Sequence, residues 1–290
     1  MCWYRAGLAG PRLVGEPGSL TANSTHTFLS MKPSSLDKTL EAATADCFWV
    51  PPHVTVVERE AIKYSHSPQP TVGYNRVMRV RPSLEPVEAL VDEVVGAHQG
   101  GASRWHINPM SDAPELRAAL VRAGYEPGHR HFAYGIGTEA YGRKAAHGIE
   151  VRPVASVDDL RTLYAIRDAV FGRAPELSDE DLAREVDDCT GPGRRVARFV
   201  AYRNDEPAGA CGLTFFDALS FGLIWAGGVL EAHRGHGVYT AMLAARATAA
   251  RRRGIERLGL YARRETSAPI VAAQGFEQHG YMDYFERALA

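Results

Sequence analysis

Residues 221–252 read FGLIWAGGVLEAHRGHGVYTAMLAARATAARR, and this stretch decides the fold. Its first ten residues are almost continuously apolar, which is typical of a central, buried strand. From Val238 onwards apolar residues recur at helical spacing and the pattern closes on arginines before Gly254, which predicts a helix over Val238–Arg252. Gly235 and Gly237 precede this helix and permit the backbone dihedrals of an anion-binding turn. The stretch therefore predicts a phosphate site at the positive end of the helix.

The residues around this stretch predict the order strand, two helices, three strands, helix, strand, helix, strand. Ser156 with Asp159 and Ser178 with Asp181 are start signals for the two helices. The predicted strands and helices are a strand over Ile149–Val154, strands over Arg198–Arg203, Gly209–Phe216 and Phe221–Leu230, the helix over Val238–Arg252, a strand over Arg257–Ala262, a helix over Ala268–Gln274 and final strands over Phe276–Phe285.

This order, with the run Arg234-Gly235-His236-Gly237-Val238-Tyr239, resembles the GNAT acyltransferases and their coenzyme A signature [Arg/Gln]-x-x-Gly-x-[Gly/Ala]. Arg234 and Gly237 match the signature, while Tyr239 stands where a small residue is usual, so its ring must point away from the phosphates. The resemblance implies a mixed α/β GNAT fold with acetyl-CoA as co-substrate and no metal. It also implies that the strand ending at Val229 and Leu230 splays from its neighbour and pairs with the pantetheine arm. The residues expected to bind coenzyme A are Val229, Leu230, Arg234, Gly235, His236, Gly237, Val238 and Tyr239.

The general base is open. Transfer to an amine needs a base for the incoming ammonium and an acid for the leaving thiolate. The family often places the base on the strand before the signature, but residues 221–225 contain no carboxylate. A water chain that ends on Glu231 or Asp217 is one solution, although the simpler interpretation of each residue is a solvated strand end or a turn.

The general acid is also open. In the family it is usually a tyrosine on the short helix before a Gly-Phe pair, which here is Gly275-Phe276, and the expected position holds Val271. Tyr281 and Tyr284 are then the nearest aromatic hydroxyls by topology, with Ser267 as a weaker choice. Their odd spacing points them to opposite faces of a strand, and we favour Tyr281 because Gly280 before it could carry a bulge.

The first half of the chain echoes the second without its glycine loop. Asp112–Glu126 parallels Ser267–Glu277 as a proline-started helix with a Gly-aromatic-Glu exit, and Asp112 with Glu115 reads as a capping box. Upstream, Ser83 is predicted to cap a helix directly after a strand, with no glycine between them. We therefore expect two tandem GNAT-like domains. The expected boundaries are a loosely packed tail at residues 1–30, a degenerate domain at 31–140, a linker at 141–148 and a catalytic domain at 149–290.

Composition limits the partners. A net charge of −1 and a pI near 6.8 favour neither nucleic acid nor an anionic membrane. No apolar run of 18 residues exists, and the four cysteines lack metal-ligand spacing, so a reducing cytoplasm is expected. Arginine far outnumbers lysine, as in GC-rich bacterial genomes. The favoured function is acetyl transfer to a small-molecule amine by a monomer or homodimer, and the alternatives are a non-catalytic acyl-CoA-binding protein or an antibiotic-sequestering immunity protein.

Overall fold

The computed structural model describes residues 33–51, 53–68, 73–99, 101–172 and 177–288. The tail predicted over residues 1–30 lies outside them. The helices are α1 (Ser35–Ala45), α2 (Val87–Ala97), α3 (Pro114–Arg122), α4 (Val157–Phe171), α5 (Asp179–Thr190), α6 (Val238–Arg252) and α7 (Ser267–Ala273). The strands are β1 (Thr55–Glu58), β2 (Ile62–His66), β3 (Arg76–Val80), β4 (Ser103–Ile107), β5 (Glu126–Pro127), β6 (His131–Gly137), β7 (Ile149–Pro153), β8 (Val196–Arg203), β9 (Glu206–Phe216), β10 (Phe221–Val229), β11 (Arg257–Arg263) and β12 (Glu277–Arg287).

All of these strands belong to one sheet, in the order β1-β2-β3-β4-β12-β6-β11-β10-β9-β8-β7, with β5 paired to β12. The order of helices and strands from β7 to β12 is the one predicted. β10 and β11 are parallel, and the other strand pairs of the second half are antiparallel. The mixed α/β architecture of the GNAT fold is confirmed.

The two halves of the chain exchange strands. β6, from the first half, lies between β11 and β12 of the second half. β12, in turn, lies between β6 and β4, and its end pairs with β4 from Asp283 to Arg287. The predicted boundary at residues 141–148 therefore divides the sequence but not the hydrogen-bonded sheet.

The segment predicted as a linker is also tied to the second half. Tyr141 is 3% exposed and packs against Phe276. Its hydroxyl donates to Gln274 at 3.0 Å. At least this end of the segment is part of the core.

The similar ends of the helices α3 and α7 explain why the exchange of strands is symmetrical. Gly124 and Gly275 adopt positive φ angles of 82° and 92°, which let a helix stop abruptly. The aromatic residues that follow, Tyr125 and Phe276, are buried and anchor the chain before each final strand. The two final strands then run antiparallel beside each other, each within the other half's sheet.

Helices cover both faces of the second half. α6 and α7 pack on one face, where Ile224, Met242 and Val271 share a core. On the other face lie α4 and α5, and beside them α1 from the first half. Leu36 and Leu40 of α1 pack on residues of β10 and β6, so the first half covers part of the sheet of the second.

The helix starts show where local signals were sufficient. Ser156 and Asp159 form the predicted capping box, and Ser178 accepts from the backbone of Asp181. Ser83 does not cap α2, which begins at Val87 without a side-chain cap. The predicted box at Asp112 is also wrong, since α3 has no side-chain cap and the carboxylate of Asp112 accepts from Arg117 and Tyr281. The ion pair with Arg117 and the long-range hydrogen bond from Tyr281 take the place of the predicted cap.

We expect residues 149–290 expressed alone to be unable to fold, because β11 and β12 would lose the strand that pairs with both of them. Co-expression with residues 31–148 should restore a soluble complex. Soluble yield and circular dichroism measure both outcomes. A cooperative thermal transition in the isolated 149–290 fragment would contradict the exchange.

Stability should fall in mild acid because of His98. This side chain is buried, its Nε2 lies 3.0 Å from the carbonyl oxygen of Ser65 and its Nδ1 lies 2.6 Å from the Ser103 hydroxyl. Burial lowers its pKa to about 4. Between pH 6.5 and 4 the unfolded chain therefore takes up a proton that the folded chain refuses, so the unfolding free energy drops by up to about 1.4 kcal/mol per pH unit.

Urea unfolding at pH 7.5, 6 and 5 measures this slope. The His98→Gln variant should show a shallower pH dependence, while the exposed His147→Gln should keep the slope of the natural protein. Equal slopes in all three proteins would assign the acid sensitivity to other groups.

Candidate active site

The loop between β10 and α6 has the geometry of an anion cradle. β10 ends at Val229, a short 3₁₀ turn spans Glu231–His233, and α6 begins at Val238. Gly235 and Gly237 have φ angles of 78° and 83°, a region that favours glycine. Gly237 is the N-cap of α6 and provides no side chain, so no cap competes for the first N–H groups of the helix. These N–H groups are available to a phosphate.

The charges at the loop favour an anion. Arg234 and His236 are exposed, and no acidic residue lies in the first turn of α6. The Nε of Arg234 donates to the carbonyl oxygen of Val229 at 3.3 Å, which directs the guanidinium back along the end of β10. A ligand at the loop would meet both the helix end and this arginine.

A wedge opens between β10 and β11. The two strands are paired only at Phe221–Arg257, Gly222–Leu258 and Leu223–Gly259. Beyond that point, the edge of β10 that faces β11 has no strand partner among the described residues. The wedge, defined here by residues 224–229 of β10 and 260–263 of β11, leads to the loop. Its unpaired backbone groups can bind an extended amide-containing chain, as an added strand would.

β10 carries a bulge at the wedge. Its register with β9 shifts between Trp225 and Gly228, and Ala226 adopts a φ angle of 47°. A side chain at Gly227 would come 3.0 Å from Cε2 of Tyr239. The unusual Tyr239 of the signature therefore folds under the bulge and points away from the loop, as its size required.

Two aromatic residues flank the wedge on the face covered by α1. Trp225 and Tyr261 each stand two residues beyond the last paired position of their strand, and both pack against the α1 cluster. The indole Nε1 of Trp225 donates to Thr214 at 2.9 Å, and its ring fills the space above Gly212. Burial raises the pKa of Tyr261 well above its ordinary value, with Tyr284, Asp37 and Glu41 adding to the effect, so its hydroxyl stays protonated.

Tyr281 and Tyr284 do not border the wedge. β6 separates their strand from β11, so they are not the aromatic hydroxyls nearest to the wedge, contrary to the expectation from the sequence. The hydroxyl of Tyr281 donates to Asp112 and its ring lies under Arg130, whose guanidinium carbon is 4.1 Å from the ring centre. Burial and the hydrogen bond to Asp112 raise the pKa of Tyr281. These contacts give Tyr281 a structural role, because they link β12 to the start of α3.

Tyr284 faces the other way, as its odd spacing from Tyr281 predicts. Its ring lies edge-on between His106 and His131, with ring centres 5.1 and 5.0 Å away. Arg104 covers the same ring at 4.9 Å. Tyr284 is thus held in a packed aromatic cluster two strands from β11.

The carboxylates predicted as bases lie at opposite ends of β10. Glu231 is exposed in the turn that follows the strand, close to the loop. Asp217 precedes the strand, at the end away from the loop, where it forms an ion pair with Arg253 at 2.6 Å, so it does not border the wedge.

The two positions considered for the general acid on the short helix α7 are also defined. Val271, where the family usually has its tyrosine, is fully buried. The Ser267 hydroxyl accepts from the backbone N–H of Arg263 at 2.8 Å.

The loop and the wedge lie in a part of the chain that is similar to a known family. Residues 160–281 match the sequence model of the Acetyltransferase (GNAT) family. This part of the chain belongs to the GNAT family. No curated protein matches the sequence.

Solved structures show the same fold at low identity. A tandem GNAT protein from the clavulanic acid biosynthesis pathway is 15% identical with a TM-score of 0.60, and the match covers 89% of this chain and 90% of that one. A GCN5-related N-acetyltransferase from Kribbella flavida is 14% identical with a TM-score of 0.56, covering 81% and 86%. Another from Sphaerobacter thermophilus is 18% identical with a TM-score of 0.55, covering 81% and 76%.

Two further findings concern the described residues only. They contain no group of three or more histidine, cysteine, aspartate or glutamate side chains arranged to hold a metal. None of their helices is long and apolar enough to cross a membrane.

A groove of about 910 Å³ lies at the paired ends of β10 and β11, between Arg143, Glu256 and Glu277, on the far side from the loop.

Substitution of Gly237 by aspartate should abolish coenzyme A binding, because the carboxylate would repel the pyrophosphate and a side chain is strained at this φ angle. Isothermal titration calorimetry measures the loss. Gly254→Asp is the matched control, since Gly254 ends the same helix with a φ angle of 76° and open space around it. The control should bind coenzyme A normally, and retained affinity in Gly237→Asp would rule out the loop.

Proposed function

We propose that the protein is an acyl-CoA-dependent N-acyltransferase, with acetyl-CoA as the simplest donor and a small-molecule amine as acceptor. The observation that carries the proposal is the continuity of the loop at Gly235–Val238 with the wedge between β10 and β11. One end suits a pyrophosphate and the other an extended pantetheine arm. Both features lie within the segment that matches the GNAT family.

The donor would be held by backbone groups. The first N–H groups of α6 would bind the pyrophosphate, with Arg234 beside them. The pantetheine amides would pair with the free edge of β10 as far as the bulge. A main-chain N–H near Gly228 would then donate to the thioester carbonyl oxygen and stabilise the negative charge that develops there.

Transfer is direct. The amine nitrogen attacks the thioester carbon, the C–N bond forms and the C–S bond breaks, and the electron pair leaves with sulfur. The acceptor nitrogen loses a proton and the thiolate gains one. No covalent enzyme intermediate is needed, because the wedge brings both substrates to one carbon.

The acid that fits this geometry is Tyr261. It borders the wedge, it stays protonated, and no hydrogen bond to its hydroxyl occupies it among the described residues. Glu231 is placed to accept the ammonium proton through water, since it is exposed at the end of β10 nearest the loop.

The acceptor would approach on the face that carries Trp225 and Tyr261. There α1 of the first half packs beside the wedge, with Leu36 and Leu40 on the sheet. Because α1 covers this face, we favour a compact acceptor over a folded protein. The first half thus shapes the acceptor side without a coenzyme loop of its own.

A second candidate function is ligand binding without turnover. It is favoured by the buried Val271 at the position where the family usually has its tyrosine, and by the absence of a carboxylate on β10. Incubation with acetyl-CoA and a panel of amines, followed by titration of free thiol and mass spectrometry of products, separates the two. Amine-dependent thiol release supports transfer, and tight binding of coenzyme A without release supports the alternative.

Tyr261→Phe should lower kcat about 10²- to 10⁴-fold, because the leaving thiolate loses its acid, while KM for acetyl-CoA hardly changes. Tyr281→Phe is the control from the other face of the sheet. It should keep kcat and lower the melting temperature, since it breaks the hydrogen bond to Asp112. A collapse of kcat in Tyr281→Phe with normal turnover in Tyr261→Phe would reverse the assignment.

A further inference from the structure

Arg246 is a buried charge with no counter-charge among the described residues. It lies in the middle of α6 with 0% of its surface exposed. Its Nε donates to the carbonyl oxygen of Met242 at 3.0 Å, which occupies one donor. Nη1 and Nη2 are both buried. The neutral hydroxyl of Tyr239 interacts with the guanidinium, but neither nitrogen has an acceptor at full hydrogen-bond geometry among the described residues.

Such an arrangement is costly for the free protein. A guanidinium keeps its charge in proteins, so it cannot escape the cost by losing a proton. Burial of an unpaired charge costs several kcal/mol even after relaxation. A buried position on an apolar helix face is normally filled by a side chain such as methionine or leucine, which the sequence does not use here.

The Nη1 and Nη2 groups of Arg246 lie under the bulge of β10. Nη1 and Nη2 are each 3.6 Å from the position that a Cβ of Gly227 would occupy. The ring of Tyr239 lies beside them, 5.9 Å from the guanidinium carbon to the ring centre. Tyr239 and Arg246 stand seven residues apart, so they share one face of α6.

This location is the acyl end of the wedge. Gly227 precedes Gly228, where the thioester carbonyl is expected, and the loop for the pyrophosphate lies further along the same strand. The phosphates are bound by the opening turn of α6, whereas Arg246 is more than two turns further in. The anion that Arg246 lacks is therefore not the pyrophosphate.

We propose that Arg246 binds a carboxylate at the free end of the donor's acyl group, so that the preferred donor is a dicarboxylic acyl thioester of coenzyme A. A guanidinium presents two parallel N–H groups that match a carboxylate. The proposal requires the ring of Tyr239, which is only partly buried, to turn aside when the acyl group enters. The inference rests on the proposed function, because it requires acyl-CoA in the wedge.

The test compares three donors by calorimetry: acetyl-CoA, butyryl-CoA and succinyl-CoA. Butyryl-CoA has an acyl chain of similar length to succinyl-CoA but no carboxylate. The natural protein should bind succinyl-CoA at least about tenfold more tightly than butyryl-CoA, as expected for a charge-assisted hydrogen bond. Arg246→Met should remove this preference and leave the affinity for acetyl-CoA unchanged.

Arg246→Met has a second readout. A methionine fills the site without a buried charge, so the free variant should melt at a higher temperature than the natural protein. The matched control is Arg252→Met on the exposed side of the same helix, which should change neither the preference nor the melting temperature.

The outcomes are separable from those of the proposed function. Failure of all three donors to bind would overturn the proposed function and the inference with it. Equal binding of butyryl-CoA and succinyl-CoA by the natural protein would overturn the inference alone. A preference for succinyl-CoA that survives in Arg246→Met would place the carboxylate elsewhere.

Discussion

The structure depends on the backbone hydrogen bonds that β6 makes with β11 and β12. β11 is registered to β6 along its whole length, from Arg257–Gly137 to Arg263–His131. It is paired to β10 for only three residues. Because β11 is held on the β6 side, β10 can separate from it without destabilising the sheet. A strand from the first half thus keeps the wedge open in the second.

The same constraint gives the two halves different tasks. The second half keeps the glycine loop and the bulged strand, which offer backbone groups to a donor. The first half contributes β6 inside that sheet and α1 above it, where Leu36 packs so closely that Gly135 has no room for a side chain. The first half has no glycine between β3 and α2, and it contributes a strand that supports the second half and a helix that covers it.

The sequence was sufficient wherever the signal was local. The helix over Val238–Arg252, the glycines of the loop and the capping box at Ser156 follow from neighbouring residues, and they were predicted correctly. Strand exchange joins residues far apart in the chain, so periodicity could not reveal it, and the topological argument for Tyr281 and Tyr284 was wrong for that reason. The two residues now proposed were not singled out from the sequence, although their patterns were visible. Tyr261 alternates within β11, and Arg246 lies on the inward-facing side of α6.

Strand exchange also governs the order of events on the ribosome. β6 leaves the exit tunnel early, but its partner Arg263 follows only after most of the second half has been made. Until then β4 and β6 present unpaired edges, which are templates for aggregation. Contacts this distant in sequence slow folding, and neither half can complete its sheet first. The nascent chain should therefore depend on chaperones that shield strand edges until translation ends.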